Sequence, residues 1–248
     1  NLKQNKLMNM TNTFYAAAIS LSFFSEMTMA NMSVYPMELN VESSGAAQIK
    51  VASKSDDIQF IRVRQKKILN PGTPQEKEID VAAWKEGGIV VTPEKFALAA
   101  GALRVVRLVS LTAPAKESTW RVYFEGVKQP ESILPSPSGG PAASARLGVN
   151  VIWGALVHLA PEKVVVSLHI DPARGALKND GTVRVPLREI GVCDAADNCR
   201  WIKEDATIYP DTERQLKTLA QAKGQKYKFR YFNWINKTAE EADLPVVQ

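Results

Sequence analysis

"ARLGVNVIWGALVHLAP" (residues 145–161) decides how the rest of the chain is read. From Leu147 every second residue is apolar: Leu147, Val149, Val151, Trp153, Ala155, Val157 and Leu159. Between them stand Gly148, Asn150, Ile152, Gly154, Leu156 and His158. Alternation at period two predicts a β-strand, here roughly twice the usual five or six residues. Pro161 closes it, because proline has no N–H to give to a ladder. Such a stripe is the ordinary mark of a strand covering its own core. Its length raises the question of what else it covers.

Working outward, the segment before it, "KQPESILPSPSGGPAASA" (128–145), holds four prolines, two adjacent glycines and four serines and reads as a mobile loop. Short strands with turn signals between them precede that loop. They are "AQIKVAS" (47–53), "IQFIRVRQKKIL" (58–69) ended by "NPG", "GIVVTP" (88–93), "KFALAAG" (95–101), "LRVVRLVSL" (103–111) and "TWRVYFEGV" (119–127). After Pro161 come "KVVVSLHI" (163–170), "GTVRVPLREIGVC" (181–193) and "KYKFRYFNWI" (226–235). "NDG" (179–181) predicts a hairpin turn. Many short strands in halves of roughly 100 residues fit two β-sandwiches joined end to end, with the boundary at 161. In "DTERQLKTLAQAKG" (211–224) local rules favour a helix: a Thr212/Gln215 capping box, then Leu216, Leu219 and Ala220 at helical spacing, then Gly224 as a stop.

Composition bounds the function. The chain has 248 residues, 45% hydrophobic and 23% charged, with a formal charge of +5. No Lys/Arg run exceeds the pair Lys66-Lys67, so the electrostatic footprint of a nucleic-acid binder is missing. Lys3 and Lys6 precede the apolar run "FYAAAISLSFF" (14–24), and small residues end at Ala30, so residues 1–30 read as a secretory signal. A buried helix or an uncleaved anchor is the alternative, although the run is short for a bilayer, which takes about 20 residues. The two cysteines, Cys193 and Cys199, suggest a disulfide in an exported chain. Two free thiols are the other reading. A metal site is not expected: the only histidines, His158 and His169, lie well upstream of the cysteines with no cluster around them. No Gly-x-Ser-x-Gly elbow or phosphate-binding Gly-rich loop occurs, and Asp56-Asp57 and Glu240-Glu241 are adjacent, so on strands they point apart. We therefore expect neither an enzyme, nor a cofactor, nor a small-molecule substrate.

Several stretches together resemble one family, the periplasmic chaperones of the chaperone–usher pathway. "VVTPEKFALAAGALRVVRL" (90–108) is similar to the signature of its first domain: Thr-Pro, an apolar strand, a Gly turn and a strand ending in Arg-Leu. "WRVYFEGV" (120–127) resembles the strand that follows. "VYPMELNV" (34–41), "SKSDDIQFIRVRQKKILNPGT" (53–73) and "VNVIWGALVHLAP" (149–161) are similar to the alternate branch, which serves colonisation-factor-type fimbriae. In the second half the likeness is looser and rests on "VCDAADNC" (192–199) and "IYP" (208–210).

The resemblance implies an all-β chain of two immunoglobulin-like sandwiches in an L, the first over 31–161 and the second over 162–248. It implies export to the periplasm and, as partners, pilin subunits, a tip adhesin and an outer-membrane usher. It also implies donor-strand complementation, in which the long strand fills the groove of a pilin that lacks its final strand. An unfilled groove has unpaired edges that invite aggregation. Leu147, Val149 and Val151 match the groove-filling positions, and Trp153 either extends the stripe or turns into the chaperone's own core. Three such side chains supply on the order of 5–9 kcal/mol gross, before ordering costs. The better-known branch clasps the pilin's terminal carboxylate with two basic residues. The matching positions here are Met37 and Leu156, neither basic, which leaves His158 as the candidate anchor, with Arg62, Arg64 and Lys163 behind it. The family pattern also favours a strand over 211–224, against the local helix signals. An exposed apolar strand makes a self-capping dimer plausible. The alternative function is a secreted fimbrial subunit or adhesin. Against it, "NMSVYPMELNV" (31–41) is short for a donated extension and contains Pro36.

Overall fold

The computed structural model describes residues 31–43, 45–81, 88–127, 151–216 and 226–247. The expected signal (1–30), the whole loop 128–145, and Leu147 and Val149 lie outside them. No described residue is helical.

The first set of strands is β1 (Met32–Tyr35), β2 (Glu38–Val41), β3 (Ala46–Ser53), β4 (Gln59–Leu69), β5 (Lys77–Ile79), β6 (Ile89–Thr92), β7 (Lys95–Leu98), β8 (Leu103–Ser110), β9 (Ser118–Val127) and β10 (Ile152–Leu159). One sheet runs β1-β3-β8-β6; the other runs β2-β10-β9-β4-β5, with β7 also on β4. The chain changes sheets at Pro36: β1 pairs β3 antiparallel, whereas β2 pairs β10 in parallel. Alternation then sorts the side chains. On β9, Trp120, Val122 and Phe124 are fully buried, while Arg121, Tyr123 and Glu125 face outward. They meet Ile49, Val51, Val106 and Leu108 of the opposite sheet in one apolar core.

The second set is β11 (Leu168–Asp171), β12 (Ala176–Asn179), β13 (Val185–Cys193), β14 (Cys199–Ile208), β15 (Glu213–Gln215), β16 (Lys226–Asn233) and β17 (Thr238–Asp243). Sheets β11-β12-β15 and β14-β13-β16-β17 enclose a separate core around Leu168, Leu177, Leu187, Ile190 and Phe229. The chain is thus all-β, with two immunoglobulin-like sandwiches. Cys193 and Cys199 face each other across the β13–β14 hairpin and form a disulfide.

Three local expectations change. "NDG" is not a hairpin turn: β12 pairs β11 and β15, and the turn hands the chain to the other sheet. The buried Asn179 side chain drives this, donating to Val183 O and Ile208 O at 2.9 and 2.8 Å and accepting from Gly181 N at 2.9 Å. "KVVVSLHI" is a strand only from Leu168. Its leading residues bond to a loop instead of a ladder: Thr182 Oγ1 donates to Lys163 O, and Val165 N donates to Thr182 Oγ1. In 211–224, residues Glu213–Gln215 are a strand on β12, as the family pattern favoured, and 217–225 fall outside the described residues.

Candidate subunit-binding strand

β10 carries the second half of the quoted stripe. β9 flanks it along its whole length, from Ile152 opposite Glu125 to Leu159 opposite Ser118. β2 flanks it only from Leu156 to Leu159. Leu156 N–H donates to Met37 O at 2.8 Å, and upstream of that bond the side of β10 away from β9 has no neighbouring strand among the described residues.

The inward side chains change character along the strand. Ala155, Val157 and Leu159 are 0% exposed and belong to the first core. Trp153 is half-buried and packs against that core. Its Nε1 is buried and finds no acceptor among the described residues. Val151, one step further out on the same face, is 38% exposed, and its neighbour Ile152 is 48% exposed. Met37, whose carbonyl takes the last hydrogen bond before the uncovered edge, is exposed too. Of the two readings of Trp153, the structure has it turned toward the chain's own core, and it is the outermost described residue of the stripe that packs there. Leu147 and Val149 lie beyond it, outside the described residues.

The outward face of the same sheet is polar and held by charge-assisted hydrogen bonds. Arg62 and Arg64 of β4 donate to Glu125 Oε2 at 2.9 and 3.2 Å, and the Arg62 hydrogen bond holds the Glu125 carboxyl below its ordinary range. Arg121 Nε donates to Glu78 Oε1 at 2.8 Å, and Tyr123 Oη reaches both Glu78 oxygens at 2.8 and 2.7 Å. Gly154 sits opposite Tyr123, and a Cβ there would lie 3.1 Å from Arg121 Cδ and 3.2 Å from Tyr123 Cε1. Sequence reasoning missed this lattice. Its signal was present as the polar alternation of Arg121, Tyr123 and Glu125.

The candidate anchor is placed elsewhere. His158 is 0% exposed, with Nε2 3.0 Å from Glu38 Oε1 and Nδ1 3.4 Å from Thr119 Oγ1. Both ring nitrogens are engaged inside the chain, so the ring has nothing to offer an incoming carboxylate. Arg62 and Arg64 are committed to Glu125, and Lys163 is exposed beyond the strand's end. Met37 and Leu156, the positions matching the basic pair of the other branch, do lie side by side.

The chain is 35% identical over 212 residues to a CFA/I fimbrial protein of Escherichia coli, a match that covers 82% of this chain and 85% of that one. To a CS1 fimbrial protein of the same organism it is 35% identical over 199 residues, covering 77% and 82%. Among solved structures it is similar to the class 5 fimbriae chaperone CfaA, at 31% identity and a TM-score of 0.71 over 86% of this chain and 99% of that one. A structure described as a chaperone–tip adhesin complex vital for synergistic activation of CFA/I fimbriae biogenesis contains a chain 31% identical, with a TM-score of 0.69 over 87% and 99%. Both Escherichia coli relatives are named as fimbrial subunits, whereas both structures are named for a chaperone. The structural match spans both sandwiches. No protein-family model matches the chain.

Proposed function

The chain belongs to the class 5 fimbrial chaperones, the colonisation-factor branch of the pilus-assembly chaperones, and from that premise we propose that it works in the periplasm by lending the β10 stripe to a fimbrial subunit. The subunit-binding residues are Leu147, Val149 and Val151, with Trp153 as the boundary between the lent and the retained parts. Its partners are pilin subunits and a tip adhesin, which it folds, caps and hands to an outer-membrane usher. Residues 1–30 direct export, 31–161 form the donor sandwich and 162–248 the second sandwich.

One observation carries this reading. On a single strand face, side chains from 155 onward are sealed in their own core, whereas Val151 is 38% exposed beside an edge with no strand neighbour among the described residues. An apolar side chain at an open backbone edge is what an incomplete sandwich needs on both counts: side chains for its groove and hydrogen bonds for its strands. In the absence of a pilin, the same edge favours a self-capping dimer.

Co-expression with candidate pilin subunits tests the proposal. The wild type should yield a soluble one-to-one complex, and Val149→Asp should abolish it while the chaperone keeps its own melting transition. A complex that survives Val149→Asp would show that the donated residues lie elsewhere.

A further inference from the structure

Where the two sandwiches meet, charged groups from both close around His158. From the first sandwich, Glu38 and Asn40 come from β2, Glu117 from the residue just before β9, and Thr119 from the start of β9. His158 Nε2 stands 3.0 Å from Glu38 Oε1, and its Nδ1 stands 3.6 Å from Glu117 Oε1. From the second sandwich, Arg184 Nη1 donates to Glu117 Oε1 at 2.8 Å, its backbone N–H to Glu117 Oε2 at 3.2 Å, and its Nη2 to Asn40 Oδ1 at 2.7 Å. The Arg184 guanidinium lies 4.6 Å from the centre of the Trp234 ring, and the Tyr209 ring lies 6.0 Å from His158. Lys116 and Asp211 pair across the same junction at 2.5 Å.

Glu117 has no exposed side-chain surface and Arg184 very little. Arg184 engages both Glu117 oxygens, and Glu117 Oε1 stands near His158 Nδ1 without a hydrogen bond to it. Glu38 is the wet member, its side chain 62% exposed at the rim. A proton on His158 would put a positive charge beside Arg184 in a place water does not reach. Parting the sandwiches removes Arg184 and readmits water to the imidazole.

We propose that this junction is a proton-sensitive hinge: the sandwiches stay together while His158 is uncharged, and acid drives them apart because the parted state accepts the proton more readily. Burial holds the His158 imidazole below its ordinary value of 6.5, outweighing the Glu38 hydrogen bond and the attraction of the Glu38 and Glu117 carboxylates, and Arg184 adds to the lowering. The same hydrogen bond keeps the Glu38 carboxyl low. Tyr209, pushed up to about 12 by burial, stays neutral throughout. The sign follows. A group whose closed-state pKa is depressed favours closure fully above its free value and loses that contribution as pH falls below it. The closed-to-parted ratio therefore drops by up to about tenfold per pH unit below about 6.5, until the closed junction itself takes up the proton. The hinge is a property of the free chaperone and does not rest on the strand-lending reading.

Hydrogen exchange of the free chaperone at pH 7.5 and 5.5, corrected for the intrinsic rate, tests it. Peptides spanning 116–120, 156–160 and 182–186 should lose several-fold or more of their protection at pH 5.5 in the wild type. In His158→Gln, which keeps a hydrogen-bonding side chain that does not titrate, protection should not change between the two pH values. Should that variant fail to fold, a proton NMR titration of the wild type decides, since the chain has only two histidines. His158 titrating below 6.5 supports the hinge. Protection independent of pH in the wild type, an equal loss in His158→Gln, or His158 titrating above 6.5 would overturn it.

Discussion

The two ends of β10 share one sequence pattern and meet opposite fates. From Ala155 to Leu159 the inward residues sit under the β1-β3-β8-β6 sheet and contribute to the chain's own core. At Val151 the same face is open, and the neighbouring edge has lost β2. Trp153 stands between, half covered, with an indole N–H that finds no acceptor among the described residues. Period-two alternation specifies which face of a strand is apolar; it does not specify whose core that face fills. Ownership is decided by what lies above the strand, and in this molecule the cover runs out within two residues.

That contrast is open to mutation. The largest effect belongs to the covered end. Val157→Asp buries a carboxylate with no partner and should cost about 4 kcal/mol or more, read as loss of the native far-UV signal or a collapsed urea midpoint. Next comes the junction, where Glu117→Gln leaves the buried Arg184 guanidinium without its charge partner. Breaking such a pair costs about 3–5 kcal/mol, seen as a lower midpoint in chemical denaturation. Reducing the Cys193–Cys199 bridge, whose sequence separation is 6, opens a short loop. It should lower the stability of the second sandwich by about 2 kcal/mol in the chain-entropy description, with the first sandwich unaffected in hydrogen exchange. The smallest effect on folding belongs to the open end. Val151→Asp should change stability by no more than about 0.5 kcal/mol, yet remove subunit binding in pull-down. Equal destabilisation by Val151→Asp and Val157→Asp would erase the distinction between the two ends.

Much of this was legible in the sequence. Alternation in "TWRVYFEGV" sorts Trp120, Val122 and Phe124 from Arg121, Tyr123 and Glu125, because neighbouring side chains on a strand must point to opposite faces. The readings that failed were those where a distant partner overrides local preference. "KVVV" has strong strand propensity, but its Val165 N–H goes to Thr182. "NDG" is a favourable hairpin sequence, but Asn179 spends its side chain on Ile208, 29 residues away. His158 reads in the sequence only as a candidate anchor. It is buried at a junction to which the other sandwich brings Arg184 and Tyr209, and these leave no trace in the local pattern. Gly154 is one of the unremarked residues between the apolar positions, and its purpose is visible only once Arg121 and Tyr123 are seen across it.

Backbone hydrogen exchange over residues 145–161, comparing the free chaperone with its complex with a cognate pilin, is the most direct measurement. Strand lending predicts that amides from about 147 to 152 exchange quickly in the free protein and become strongly protected in the complex, while those of 155–159 are protected in both. Equal exchange at 147–152 with and without the pilin would contradict it.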